Sequence, residues 1–164
     1  MTDTQIYLIT WTTYGTWLPG DARGWKNRTS GWEPARPQLE AWCHKQMTTP
    51  AVLLNRVHRS TVEQACRAHC SHRGWEFYAV AARSNHVHVV VGADVLGKTV
   101  RDQFKAWCTR ALRTQSNPLI RDRTWTRAGD IEIIRESDLE QVTLYLTVAQ
   151  DRKGRDEMGE RDAG

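Results

Sequence analysis

Residues Trp75–Gly92 read WEFYAVAARSNHVHVVVG, and this stretch decides the fold. Trp75–Ala82 is a β-prone run, Arg83–Asn85 carries turn residues, and His86–Gly92 is a second β-prone run; together they predict a β-hairpin. Alternation along the second run sends Val87, Val89 and Val91 to one face and His86, His88 and Val90 to the other. The valine face requires a covering layer. The other face opens with two imidazoles side by side just after a turn, as divalent-cation ligands on a strand would stand. A histidine pair that merely decorates a polar sheet face is the plainer alternative.

Upstream, Ser60 and Glu63 form an S-x-x-E capping box that predicts a helix to about His72, stopped by Arg73–Gly74. Gln5–Tyr14, rich in Ile, Tyr, Trp and Thr, predicts a first strand. Residues 18–59 between them are expected to be a long loop or insertion, opening with the turn-rich WLPGDARGWKNRTSGWEPARP from Trp17 to Pro37. Its Trp17, Trp25 and Trp32 suit either base stacking or capping the core under the loop. Downstream, Val100, Phe104, Trp107, Cys108, Ala111 and Leu112 recur at helical spacing, predicting a helix from about Lys98 to Thr114 with Trp107 in the core. Asp130–Arg135 predicts a short strand, and a second capping box at Ser137 and Glu140 opens a last helix, Asp138–Gln150.

The order β-α-β-β-α-β-α follows. Its first six elements predict an α+β, ferredoxin-like fold, a four-stranded antiparallel sheet with two helices on one face, and the seventh is an extra C-terminal helix. One domain over 1–150 is expected, with 151–164, nine of whose fourteen residues are charged, a disordered tail.

Composition agrees with a soluble globular chain: 164 residues, 40% apolar, 26% charged, mean hydropathy −0.62. No run reaches the ~18 apolar residues of a membrane span, and no basic segment precedes the first apolar stretch, so neither membrane insertion nor secretion is expected. Cys43, Cys66, Cys70 and Cys108 are then expected as reduced cytoplasmic thiols. Cys66, His69, Cys70 and His72 lie within reach of a zinc pattern, but Val62, Ala65, Cys66, His69 and Cys70 follow helical spacing, which favours small core residues.

Charge is uneven. Net charge is +4, and between Lys98 and Arg127 eight basic residues (Lys98, Arg101, Lys105, Arg110, Arg113, Arg121, Arg123 and Arg127) face only Asp102 and Asp122. Such a stretch marks either a nucleic-acid footprint or a solvated helix face. Trp125, between Arg123 and Arg127, is the base-stacking candidate of that stretch. In the last helix Leu139, Val142, Leu146 and Ala149 form the buried stripe, and Tyr145 falls about 70° from its centre, placed to pack its ring while offering its hydroxyl to a cleft.

Ser84–Val91, SNHVHVVV, resembles the P-N-H-V-H-hydrophobic signature of single-tyrosine HUH transposases, the IS200/IS605-like enzymes and their REP-associated branch. Leu8–Gly15, LITWTTYG, resembles the first strand of that branch. The resemblance implies metal-dependent nicking and strand transfer of single-stranded DNA bearing imperfect hairpins. His86 and His88 would hold Mg²⁺ or Mn²⁺, Tyr145 would be the nucleophile forming a 5′-phosphotyrosine, and the Lys98–Arg127 stretch would follow the DNA backbone. It also implies a homodimer and a bacterial, cytoplasmic, nucleoid-associated protein. The chain departs from the family in one place: many relatives carry Gln or Asn four residues after the tyrosine, where this chain has Ala149. Gln150 is the candidate third ligand, although on an ideal α-helix it points about 140° away from Tyr145. Two other readings remain at this point: a non-catalytic, domesticated hairpin-DNA-binding protein, and a histidine-triad-like nucleotide hydrolase, which lacks its third histidine because position 90 is Val.

Overall fold

A computed structural model describes residues 3–149; Gln150 and the charged segment 151–164 lie outside the described residues. The chain forms β1 (Gln5–Thr12), β2 (Trp25–Asn27), β3 (Gly31–Glu33), α1 (Pro37–Gln46), α2 (Arg56–Arg73), β4 (Glu76–Ala82), β5 (His86–Ala93), α3 (Gly97–Thr114), β6 (Asp130–Ile133) and α4 (Leu139–Leu144). A 3₁₀ turn at Glu136–Asp138 precedes α4, and a π-helical turn at Tyr145–Ala149 follows it.

β4, β5, β1 and β6 form one sheet in that order, every neighbour antiparallel. With α2 and α3 on one face, this is the ferredoxin-like arrangement expected from the element order. Val87, Val89 and Val91 are fully buried against Val62, Cys66, Val100, Phe104 and Leu112. Cys66 and Cys70 are core residues of α2. The opposite face carries a smaller apolar cluster in which Ala79, Ala81 and Val90 meet Leu146, flanked by Ile6, Leu8, Leu139 and Val142. The C-terminal helix therefore covers the sheet face that bears the histidines.

Several boundaries differ from expectation. α2 begins at Arg56, not near Thr61, because Asn55 caps it: the Asn55 side chain accepts from the His58 N–H at 2.8 Å, and the His58 ring accepts from the Asn55 N–H at 3.4 Å. Glu63 turns instead toward the backbone N–H of Ala82, at 3.4 Å. Gly74 ends the helix in the left-handed region at φ 71°, where a side chain would be strained. The 18–59 segment is not structureless. It folds into the β2–β3 hairpin and α1, with Trp25 buried and Trp32 exposed. The last helix runs without a break to Ala149 as expected, but it changes from α to π at Tyr145, and its N-terminus has no side-chain cap. Trp107 is 40% exposed rather than core, lying against His69, His72 and Arg110 on the outer surface of the helix pair.

Two buried histidines give the fold a pH dependence. Burial holds His69 and His58 below the usual imidazole range. Opposing hydrogen bonds come from Gln103 to His69 and from the Asn117 carbonyl to His58. A group whose folded pKa is lowered binds its proton more readily when unfolded, so stability is lost as pH falls below the unfolded value of ~6.5. Protonating His58 also removes the ring acceptor that closes the α2 capping box. Thermal unfolding followed from pH 7.5 to 5.5 is expected to show a falling midpoint; a flat profile would contradict it.

Candidate metal and tyrosine site

Register fixes the histidine pair. His86 pairs with Thr12 and His88 with Thr10, so these four side chains share one face. The two imidazoles stand 4.7 Å apart between centroids at 76° to each other. His86 Nδ1 lies 2.7 Å from the side-chain oxygen of Asn85, and His88 Nδ1 lies 2.7 Å from the Thr10 hydroxyl. A ring whose Nδ1 is engaged in this way offers Nε2 to a cation, and the partner fixes the ring's orientation. Two imidazoles so arranged suit borderline divalent ions such as Zn²⁺, and a harder ion such as Mg²⁺ or Mn²⁺ would need oxygen donors beside them. Among the described residues no three His, Cys, Asp or Glu side chains gather into a complete ligand set.

Tyr145 opens the π-helical turn and is 37% exposed. The next residue, Leu146, is 1% exposed and packs on Val90, Ala79 and Ala81, anchoring the turn on the histidine-bearing face. Arg83, in the β4–β5 turn, donates to the Leu146 carbonyl at 3.2 Å, and its own N–H bonds the His86 carbonyl at 2.8 Å. The hairpin turn that presents the histidines is thus tied to the helix that presents the tyrosine.

The basic residues predicted from α3 and its following loop have several roles. Arg101 is 9% exposed, ion-paired with Asp102 at 3.0 Å and donating to the Gly129 carbonyl, so its charge is turned inward and braces the loop. Lys105 donates to the carbonyls of Thr126 and Ala128 at 2.8 and 2.7 Å, and burial lowers its pKa, aided by the nearby Arg101 cation and opposed by Asp102. Trp125 meets Trp11 edge-on at 6.0 Å, and its indole N–H is held by the Thr109 hydroxyl at 2.9 Å, so it is half-buried structure as well as surface. Arg113, Arg123 and Arg127 line a groove of about 710 Å³, joined by Lys105, Trp125 and two residues that the linear pattern did not single out, Tyr14 and Arg28. Lys98 and Arg110 are exposed on α3 outside the groove lining, and Arg121 is exposed in the following loop, where its carbonyl accepts from Arg113. Gln150 lies outside the described residues.

No helix among the described residues is long and apolar enough to cross a membrane. No protein-family model matches the chain, and no curated protein matches it. Among solved structures it is similar to a REP-associated tyrosine transposase bound to a REP hairpin, at 12% identity, with a TM-score of 0.55, over 94% of this chain and 70% of that one. That likeness extends along nearly the whole described chain and shows that the two share a fold.

Proposed function

We propose that the chain nicks and transfers single-stranded DNA at hairpin-bearing sites through a covalent tyrosine intermediate. The observation that carries this reading is the shared face: His86 and His88 on β5 and the helix bearing Tyr145 lie on the same side of the sheet, tied together through Arg83 and Leu146. The fold shared with a hairpin-bound tyrosine transposase supports the choice of substrate.

In this reading the Tyr145 hydroxyl oxygen attacks a backbone phosphorus as its proton leaves to solvent. The phosphorus–O3′ bond breaks, the departing oxygen takes up a proton as a free 3′-hydroxyl, and the fragment on the 3′ side of the break remains esterified to the tyrosine through its 5′-phosphate. A later 3′-hydroxyl attacks the phosphotyrosine and regenerates the phenol, so no ATP is needed. His86 and His88 would hold Mg²⁺ or Mn²⁺, which when bound polarises the phosphate and orients it for attack. Asn85 and Thr10 hold the two rings for that task.

Gln150 is the proposed third ligand. Ala149 stands where many relatives have the amide, so Gln150 is the residue whose loss should weaken metal dependence.

The test is covalent capture. Protein mixed with end-labelled hairpin-bearing oligonucleotides and Mn²⁺ is expected to give an SDS-resistant adduct retaining the 3′ label. The adduct should be lost in His88→Ala, and Gln150→Ala should require more Mn²⁺ for half-maximal yield. Salt-sensitive binding without any adduct would favour the non-catalytic binding protein.

A further inference from the structure

The β2–β3 hairpin has no part in the chemistry above, yet its turn brings one residue to the lining of the basic groove. Arg28, in that turn, lines the groove together with Lys105 and the Arg113, Arg123 and Arg127 cations. The hairpin is held in place. Lys26 forms an ion pair with Asp130 at the start of β6 at 2.7 Å, the Trp17 indole N–H donates to the Gly24 carbonyl at 2.7 Å, and the buried Trp25 donates to the Pro34 carbonyl at 3.0 Å. Among the groove's other lining residues, Arg123 lies over the Tyr14 ring at 5.8 Å.

The groove also reaches the histidine-bearing face. Thr126 lines it, and the Thr126 hydroxyl accepts from the Thr12 hydroxyl at 3.0 Å. Thr12 is the register partner of His86. By ordinary strand spacing, Thr126 is therefore about 10 Å from His86 across the sheet. The Thr126 and Thr12 hydroxyls thus lie between the groove lining and the imidazole-bearing face.

We propose that the β2–β3 hairpin is a DNA clamp, and that Arg28 contacts a backbone phosphate of the strand whose continuation enters the His86–His88 site. This rests on the DNA reading above. Five cationic side chains line the groove against one acidic residue, Asp122, a balance that fits a phosphate backbone rather than a small neutral ligand. The exposed Trp32 on β3 adds an aromatic face beside the same hairpin.

The experiment measures binding of a fluorescent hairpin-bearing single-stranded oligonucleotide across a salt series. It compares the wild-type chain with Arg28→Gln and Arg73→Gln. Arg73 supplies the charge control: it is exposed at the end of α2, near the sheet end where Glu76 pairs with Gly92, far from His86. Arg28→Gln is expected to weaken binding roughly threefold to tenfold at low salt and to flatten the slope of log K against log salt by about 0.7 to 0.9. Arg73→Gln should leave both unchanged. Arg28 is exposed, so the variant is expected to fold, and its far-ultraviolet circular dichroism checks this. If wild-type protein binds with a clear salt slope while Arg28→Gln matches it, or if the two variants lose equally, the clamp is overturned and the DNA reading stands. If the wild-type chain binds no DNA, both fall together.

Discussion

Tyr145→Phe is expected to abolish the covalent adduct while leaving hairpin-DNA affinity within about twofold, since binding rests on the basic groove and not on one hydroxyl. The loss should be complete. Phenylalanine keeps the ring and removes only the oxygen that forms the new bond, and water at the same phosphate would leave no protein-linked product. The variant should also fold normally, because Tyr145 is 37% exposed and the helix is anchored by its neighbour Leu146, 1% exposed. An adduct that persists in Tyr145→Phe would assign the nucleophile to another residue. A variant that neither binds nor unfolds cooperatively would be uninformative about chemistry, so unfolding is measured on the same preparation.

Phe104→Ala is expected to be the most damaging single core change, costing about 3–5 kcal/mol of unfolding free energy. Phe104 is fully buried, stacks on Trp11 at 6.2 Å, and meets Trp75 and His69 edge-on at 5.7 and 5.9 Å. It is the contact between α3, α2 and the central strand, so no single neighbour can collapse into the space it leaves. Urea denaturation should show a large fall in midpoint with an unchanged slope. A loss under about 1 kcal/mol would mean that the layer between sheet and helices repacks far more freely than these ring contacts allow.

Much of the architecture is legible in the sequence because strand alternation and helical spacing are local signals. The split of β5 into a valine face and a histidine face follows from period two alone, and register then carries the partners Thr10 and Thr12. What escapes is set by contacts between distant segments. Asn55 caps α2 through His58, an imidazole in the place where Glu or Gln is the recognisable signal, so the nearby Ser60–Glu63 pair draws the eye instead. Arg101 shares its helix with exposed cations, and only the return of the 126–129 loop shows that its charge is buried. Trp107 obeys the apolar spacing but lies at the edge of the stripe, where α2 offers it histidines instead of cover. Arg28 and Tyr14 join Arg123 and Arg127 only through folding, and nothing in their own neighbourhoods marks them. The π-helical turn at Tyr145–Ala149 is likewise invisible to a spacing rule that assumes 3.6 residues per turn.

In the proposed function the histidine pair and Tyr145 form one catalytic site on one face of the sheet. The most direct test is to digest the Mn²⁺-dependent protein–DNA adduct with protease and nuclease and to locate the nucleotide by mass spectrometry. A single modified peptide is expected, carrying a nucleotide phosphate on Tyr145 and missing from His86→Ala protein. A nucleotide on any other residue, or an adduct that forms equally well without His86, would contradict it.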